Sequence, residues 1–175
     1  PIHARLDAVK CLIPFPEGKK ILEVGCGPGM YSIALAKLGA QVTGVDYSKQ
    51  MIEAAQRNAT RNGVSISFTQ MNFVDDALNG TFDTVFAAGD IEYIDPSQHV
   101  KFMNKMKGLS SESVIISFPK ARTLHRFVRE MWLKYLKEIE ICFFNNAEIA
   151  QLASQAGLKE VERQDAGVLW VIKFR

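Results

Sequence analysis

Hydrophobic and polar positions along the chain follow two alternating periods, which predict strands and helices in turn. Residues 19–25 (KKILEVG) form a short apolar run that stops at glycine, and residues 29–39 (GMYSIALAKLG) then repeat apolar positions at helical spacing. The same pattern predicts further strands at 41–46, 64–70, 82–89 and 113–118, and further helices at 47–63 and 96–107. Strands that alternate with helices in this way indicate an α/β fold whose parallel sheet is covered on both faces.

The pattern changes after Pro119. Apolar residues recur at helical spacing from Leu124 to Leu136, and Asn146 is expected to cap a last helix over 147–157. Residues 158–164 and 167–174 predict two strands joined by a short turn, and therefore an antiparallel terminal hairpin. Because no repeat or linker interrupts the chain, we expect one domain over residues 1–175 with an N-terminal segment at 1–17.

Composition narrows the class of protein. The chain has 175 residues, 47% of them hydrophobic, which is enough for one domain with a substantial core. A net charge of +2 lacks the cationic excess of an obligate nucleic-acid binder. The three cysteines have no metal-type or disulfide spacing, which fits a reducing cytoplasm. We expect a soluble protein, since no membrane-spanning or signal-peptide stretch is found, and the start at Pro1 indicates processing or trimming.

A glycine-rich turn follows the first predicted strand. In EVGCGPG, the glycines at 25, 27 and 29 allow a sharp turn and let bare backbone approach a ligand. A dinucleotide fingerprint would place its third glycine one residue later, where this chain has Met30, so the spacing argues against NAD. A turn without a ligand would need neither three glycines nor a matched carboxylate downstream.

That carboxylate is Asp46, at the end of the second strand. Ligands of open α/β sheets bind at this edge, where an acidic side chain accepts hydrogen bonds from ribose hydroxyls. The alternative is that Asp46 caps the following helix. Ser48 can serve as that cap, which would leave the carboxylate free for ribose.

Three segments together resemble the class I S-adenosylmethionine-dependent methyltransferases. ILEVGCGPGMYS followed by VTGVDYS resembles the first two motifs of that family, and FDTVFAAGDIEYI is similar to a strand of its small-molecule, methyltransferase type 11-like branch. Tyr93 replaces the usual histidine there. The resemblance covers residues 18–118 well and 119–145 poorly. It implies a Rossmann-like, doubly wound sheet of seven strands, mostly parallel with an antiparallel C-terminal hairpin.

The resemblance also implies the cofactor, S-adenosyl-L-methionine, and the residues that hold it. Glu23 would orient the glycine turn and the cofactor's amino group, while Tyr47 and Met51 would flank adenine. Asn72 stands where the family commonly has an aspartate; its carbonyl can still accept from the adenine amine, and Asp75 and Asp76 are alternatives. The full implied set is Glu23, Gly25, Cys26, Gly27, Gly29, Asp46, Tyr47, Met51, Asn72, Phe73 and Ala88.

Residues around the methyl group are the candidates for catalysis. Asp90 follows the small pair at 88–89; it either accepts the substrate's proton or positions an amine, or it caps the local turn. Tyr93 is a secondary candidate that also suits the edge of the pocket. His125 is a candidate general base. Arg122 and Arg126 belong to a basic segment, 120–137, which is either a solvated helix face or an anion-binding lid. The region 119–145 would thus lie on the substrate side.

The sequence therefore predicts an enzyme that methylates oxygen or nitrogen of a small-molecule metabolite, without a metal and with neither nucleic acid nor membrane as partner. An Asn-Pro-Pro-aromatic tetrapeptide, which would begin at Ala88, is absent, and this counts against a DNA adenine methylase. Two alternatives stay open: an RNA or protein methyltransferase that uses the basic helix, and a non-catalytic cofactor-binding subunit or sensor.

Overall fold

A computed structural model of the protein describes residues 2–121 and 141–175. Within these residues, seven strands form a single sheet with helices packed against it. The strands are β1 (Lys20–Val24), β2 (Gln41–Asp46), β3 (Ser67–Gln70), β4 (Phe82–Ala87), β5 (Ser110–Pro119), β6 (Glu160–Asp165) and β7 (Leu169–Phe174). The helices are α1 (Ile2–Leu12), α2 (Met30–Ala36), α3 (Lys49–Arg61), α4 (His99–Leu109) and α5 (Asn146–Gln155), with short 3₁₀ turns at Ile91–Tyr93 and Pro96–Gln98.

The order of the strands confirms the predicted fold. Along the sheet they run β3-β2-β1-β4-β5-β7-β6, with β1 to β5 parallel and β7 antiparallel to both of its neighbours. The chain starts in the middle, builds outward through β2 and β3, and returns to the other side of β1. This reversal opens a crevice between β1 and β4 at the carboxyl ends of the strands, where ligands of such sheets bind.

Two hydrophobic cores lie on opposite faces of the sheet. In β1, Leu22 and Val24 join the core shared with α4 and α5, whereas Ile21 joins the core shared with α1 and α2. Alternate residues of β4 and β5 divide in the same way. Both faces of the sheet are therefore covered, so a ligand has to bind at one of its edges.

Several boundaries differ from the sequence prediction. Residues 2–12 form helix α1, although only an N-terminal segment was expected there. The helix predicted at 96–107 starts at His99, because Asp95 caps a separate 3₁₀ turn. The cap of the last helix is Asn145, not Asn146, since Glu148 lies three residues after Asn145 and completes a capping box. Among the described residues, no helix is both long and apolar enough to cross a bilayer.

Candidate cofactor-binding and active site

The glycine turn lies at the crevice, and its three glycines meet different surroundings. All three have positive φ: 66° at Gly25, 50° at Gly27 and 82° at Gly29. A Cβ on Gly29 would press on Ala55 and Phe68 at 3.1 Å, so this glycine lets α2 pack closely. A Cβ on Gly25 would overlap the carboxyl of Asp90. Gly27 has open space beside it, and it is here that a ligand can approach bare backbone.

Glu23 fixes the turn to the helix that follows it. The side chain is buried, and its Oε2 accepts hydrogen bonds from the backbone N–H of Ser32, at 2.8 Å, and from the Ser32 hydroxyl. Burial raises the pKa of Glu23 to about 8, against the opposing effect of these two hydrogen bonds. Glu23 thus holds the first turn of α2 in register with the end of β1.

Asp46 is engaged on both carboxylate oxygens. Oδ2 accepts from the backbone N–H of Gly27 and Oδ1 from that of Ser48, each at 2.8 Å. Ser48 itself caps α3, since its side chain accepts from the N–H of Met51 at 3.4 Å. The carboxylate is therefore less free than expected, but a carboxylate has about four acceptor positions. Each oxygen keeps capacity for a hydroxyl donor.

Apolar side chains are exposed beyond Asp46. Tyr47 is 78% exposed and Met51, in the first turn of α3, is 43% exposed. Their position at the end of β2 suits the predicted contact with adenine.

The side chains of the segment after β3 make contacts within the protein. The Asn72 carbonyl oxygen accepts from the backbone N–H of Val74 at 3.1 Å, and its amide donates to Asp75 at 2.8 Å. Phe73 is buried, with its ring edge-on to Phe102 at 5.5 Å between centroids. Asn72 therefore stabilises its own turn and Phe73 packs in the core, so that a cofactor contact from Phe73 would have to come from its backbone.

The end of β4 brings Asp90 against the glycine turn. Asp90 precedes the 3₁₀ turn Ile91–Tyr93 but makes no capping hydrogen bond with its side chain, so the capping alternative does not hold. Its Oδ2 is buried and has no hydrogen-bond partner within the described residues. Burial raises the pKa of Asp90 well above its usual range, and the nearby acids Glu92, Glu23 and Asp46 act in the same direction.

Arg5 is a site residue that the sequence did not indicate. It extends from α1 to the end of β4, where its guanidinium donates to the carbonyl oxygen of Ala88 at 2.8 Å. A Cβ on Gly89 would collide with the same guanidinium, so the glycine makes room for it. Its Nε is buried without a hydrogen-bond partner within the described residues. Only the apolar spacing of Ala8, Val9 and Leu12 could have revealed α1, and Arg5 lies on that same face.

The other predicted residues fall into three groups. Cys26 is buried, and burial raises the pKa of its thiol, so it packs as a small apolar residue. Tyr93 is 53% exposed at the edge of the site. Arg122, His125 and Arg126 lie outside the described residues, as does most of the expected lid at 119–145. Among residues 2–121 and 141–175, no cluster of histidine, cysteine and acidic side chains could hold a metal ion.

The residues at this edge fit S-adenosylmethionine. The open space at Gly27 admits a ligand against the backbone, and Asp46 keeps acceptor capacity for two hydroxyls. The unpaired Nε of Arg5 and the unpaired Oδ2 of Asp90 are a buried donor and a buried acceptor, which suits a ligand that carries both signs of charge.

Comparisons with known proteins identify the family. A family model described as "Methyltransferase domain" matches residues 21–111. A ubiquinone biosynthesis O-methyltransferase of Actinobacillus pleuropneumoniae is 33% identical over 177 residues, covering 91% of this chain and 75% of the relative. A second protein of that name, from Haemophilus ducreyi, is 36% identical over 156 residues, covering 81% and 66%.

A solved structure shows the same fold. The magnesium protoporphyrin IX methyltransferase of Synechocystis, with bound S-adenosylhomocysteine, superposes with a TM-score of 0.81 at 21% identity. The superposition covers 98% of this chain and 82% of that protein. The chain belongs to the class I methyltransferase family and takes its methyl group from S-adenosylmethionine.

Proposed function

We propose that this methyltransferase acts on an oxygen atom of a small molecule, with nitrogen as the second possibility. The observation that carries the proposal is the relationship to proteins named ubiquinone biosynthesis O-methyltransferase, which extends over 91% of the chain. The absence of a strong cationic excess also favours a small acceptor over RNA. A hydroxyl-bearing compound is the acceptor class that follows.

The cofactor, when bound, supplies a methyl carbon activated by the positive charge of a sulfonium. The residues of the chain then have to bind and orient the two reactants and exclude water. Asp46 would bind the ribose hydroxyls through the acceptor positions left beside Gly27 and Ser48. Tyr47 and Met51 would enclose adenine between apolar surfaces.

The acceptor side is formed by the end of β4. Ala88 has a small side chain, and the space that a side chain on Gly89 would fill holds the guanidinium of Arg5. Asp90 and Tyr93 are the described candidates for receiving the proton of a hydroxyl acceptor, and His125 is a third in the segment outside the described residues. We infer that the acceptor lies between this end of β4 and the segment that follows β5.

The acceptor assignment is tested with methyl-labelled S-adenosylmethionine and a metabolite extract. We expect label in low-molecular-weight compounds, with the methyl group on oxygen by mass spectrometry and NMR. Total RNA and unfolded protein serve as competing acceptors in the same assay. Label that enters either polymer would contradict the proposal, and label on nitrogen would favour the second possibility.

Arg5 is proposed to bind the carboxylate of the cofactor, because its buried Nε lacks an acceptor. We expect Arg5→Met to weaken binding of S-adenosylmethionine by about tenfold, the usual scale for one charged hydrogen bond. Isothermal titration calorimetry measures this. Lys10→Met removes a cation from the same helix and should leave the affinity unchanged. Equal affinities of the Arg5→Met variant and the wild type would rule out this role.

A further inference from the structure

The carboxyl of Asp90 lies directly on the backbone of the cofactor turn. A Cβ on Gly25 would overlap Oδ1 and the carboxyl carbon, and Oδ2 would be 2.6 Å away. No side chain at position 25 is therefore compatible with this placement. By the family resemblance, the methyl group of the cofactor projects toward the residues that follow β4, and Asp90 is the acidic residue placed there against Gly25.

The protein leaves part of this carboxyl without a partner. Oδ2 is buried and accepts no hydrogen bond from the described residues. The nearby guanidinium of Arg5 donates instead to the carbonyl of Ala88. An unpaired buried carboxylate is costly, and native proteins seldom keep one without a use for it. A ligand group that carries positive charge would relieve this cost.

The surroundings of Asp90 are acidic on several sides. Six titratable groups interact electrostatically with its carboxyl. They are Glu23 of β1, Asp46 of β2, Glu92 of the 3₁₀ turn, Arg5 of α1, the Cys26 thiol and the Tyr31 hydroxyl of α2. Burial and the three acids raise the pKa of Asp90, and Arg5 opposes them only in part. These surroundings thus raise the pKa of Asp90, whereas a cation beside it would lower that pKa and favour the carboxylate.

We propose, building on the function above, that Asp90 is the residue by which the enzyme distinguishes its positively charged methyl donor from the demethylated product. The donor and product share adenine, ribose, ammonium and carboxylate, and they differ in the methyl group and the charge on sulfur. Asp46, Tyr47 and Arg5 therefore serve both ligands alike. A carboxylate beside the sulfonium attracts the positive charge of the donor. The donor therefore binds more tightly than the product, whose sulfur is uncharged.

The test compares both ligands on a variant that keeps the shape of the side chain. Calorimetry on Asp90→Asn should show S-adenosylmethionine weakened by about tenfold and S-adenosylhomocysteine changed by less than about twofold. Retained binding of the product also shows that the variant is folded. The control is Asp95→Asn, which removes an exposed acid from the same loop while asparagine can still cap the 3₁₀ turn. It should leave both affinities unchanged.

A second measurement needs no variant. Burial raises the pKa of Asp90, and a cation beside it lowers that pKa again, so binding of the donor should release protons and donor affinity should rise with pH. The buffer dependence of the binding enthalpy gives the number of protons released, and it should be larger for the donor than for the product. Burial also raises the pKa of Glu23, to about 8, but any protons that Glu23 releases on binding should be equal in number for donor and product.

The proposal is overturned if Asp90→Asn weakens binding of the donor and the product equally, or weakens binding of neither. It is also overturned if the wild type releases equal numbers of protons on binding the donor and on binding the product. Equal weakening would place Asp90 at the shared ammonium instead. These results are separate from the acceptor assay. Failure to label any small molecule would contradict the proposed acceptor, while discrimination between donor and product would still stand.

Discussion

Asp46→Ala should weaken binding of both S-adenosylmethionine and S-adenosylhomocysteine by about 100-fold. The carboxylate fixes the glycine turn through the N–H of Gly27 and the start of α3 through the N–H of Ser48. Its remaining acceptor positions are those proposed for ribose. Hydrogen bonds to a charged group contribute about 1.5–3 kcal/mol each, so two of them at the lower end of that range correspond to roughly this loss. Calorimetry with the two ligands measures it.

Asp83 offers a matched control for this variant. Its carboxylate also accepts a backbone N–H, that of Lys20 at 2.7 Å, but at the opposite end of the sheet. Asp83→Ala should therefore cost a similar backbone hydrogen bond without affecting either ligand. Cofactor affinity that survives Asp46→Ala, or that falls equally in both variants, would show that Asp46 has no direct part in binding.

Gly27→Ala should abolish measurable cofactor binding while the domain stays folded. A side chain at this position has a positive φ of 50° and would occupy the open space where the cofactor is expected. The left-handed backbone costs an alanine about 1–2 kcal/mol. The effect on binding should be much larger, because the backbone at this position must approach the cofactor closely and an added Cβ would prevent it. We expect the affinity for the cofactor to fall by more than about 100-fold. Urea unfolding and calorimetry measure the two effects separately.

Gly63 separates backbone strain from loss of the ligand contact. It has a φ of 66°, also has open space around its missing side chain, and follows α3 away from the crevice. Gly63→Ala should reduce the free energy of unfolding about as much as Gly27→Ala, with no change in cofactor affinity. If both variants bound the cofactor equally, the ligand would not pass beside Gly27.

The sequence predicted the sheet well because local patterns determine it. β2 was expected at 41–46 and is observed at Gln41–Asp46, where an apolar run ends at an acidic residue. The terminal hairpin and its antiparallel pairing were also predicted, from two strands and a turn adjacent along the chain. Patterns of this kind depend only on residues that are close in sequence, so they predict strands and turns without knowledge of the fold.

Side-chain directions outside regular elements were less predictable. Asn72 and Phe73 follow the end of β3, where the alternation of a strand no longer fixes which way a side chain points. Met71 and Phe73 are both buried, and Asn72 turns outward toward Asp75. Arg5 was missed for a different reason. Its partner Ala88 lies 83 residues away, and no local motif encodes such a contact.

The position of α1 joins distant parts of the chain. This helix packs on β6 and β7, and Lys173 donates to the carbonyl of Leu12 at 2.8 Å across 161 residues. Arg5 of the same helix holds the end of β4 through the carbonyl of Ala88. Fraying of the terminal hairpin should therefore be transmitted to the cofactor site, because the contacts that seat α1 also seat Arg5.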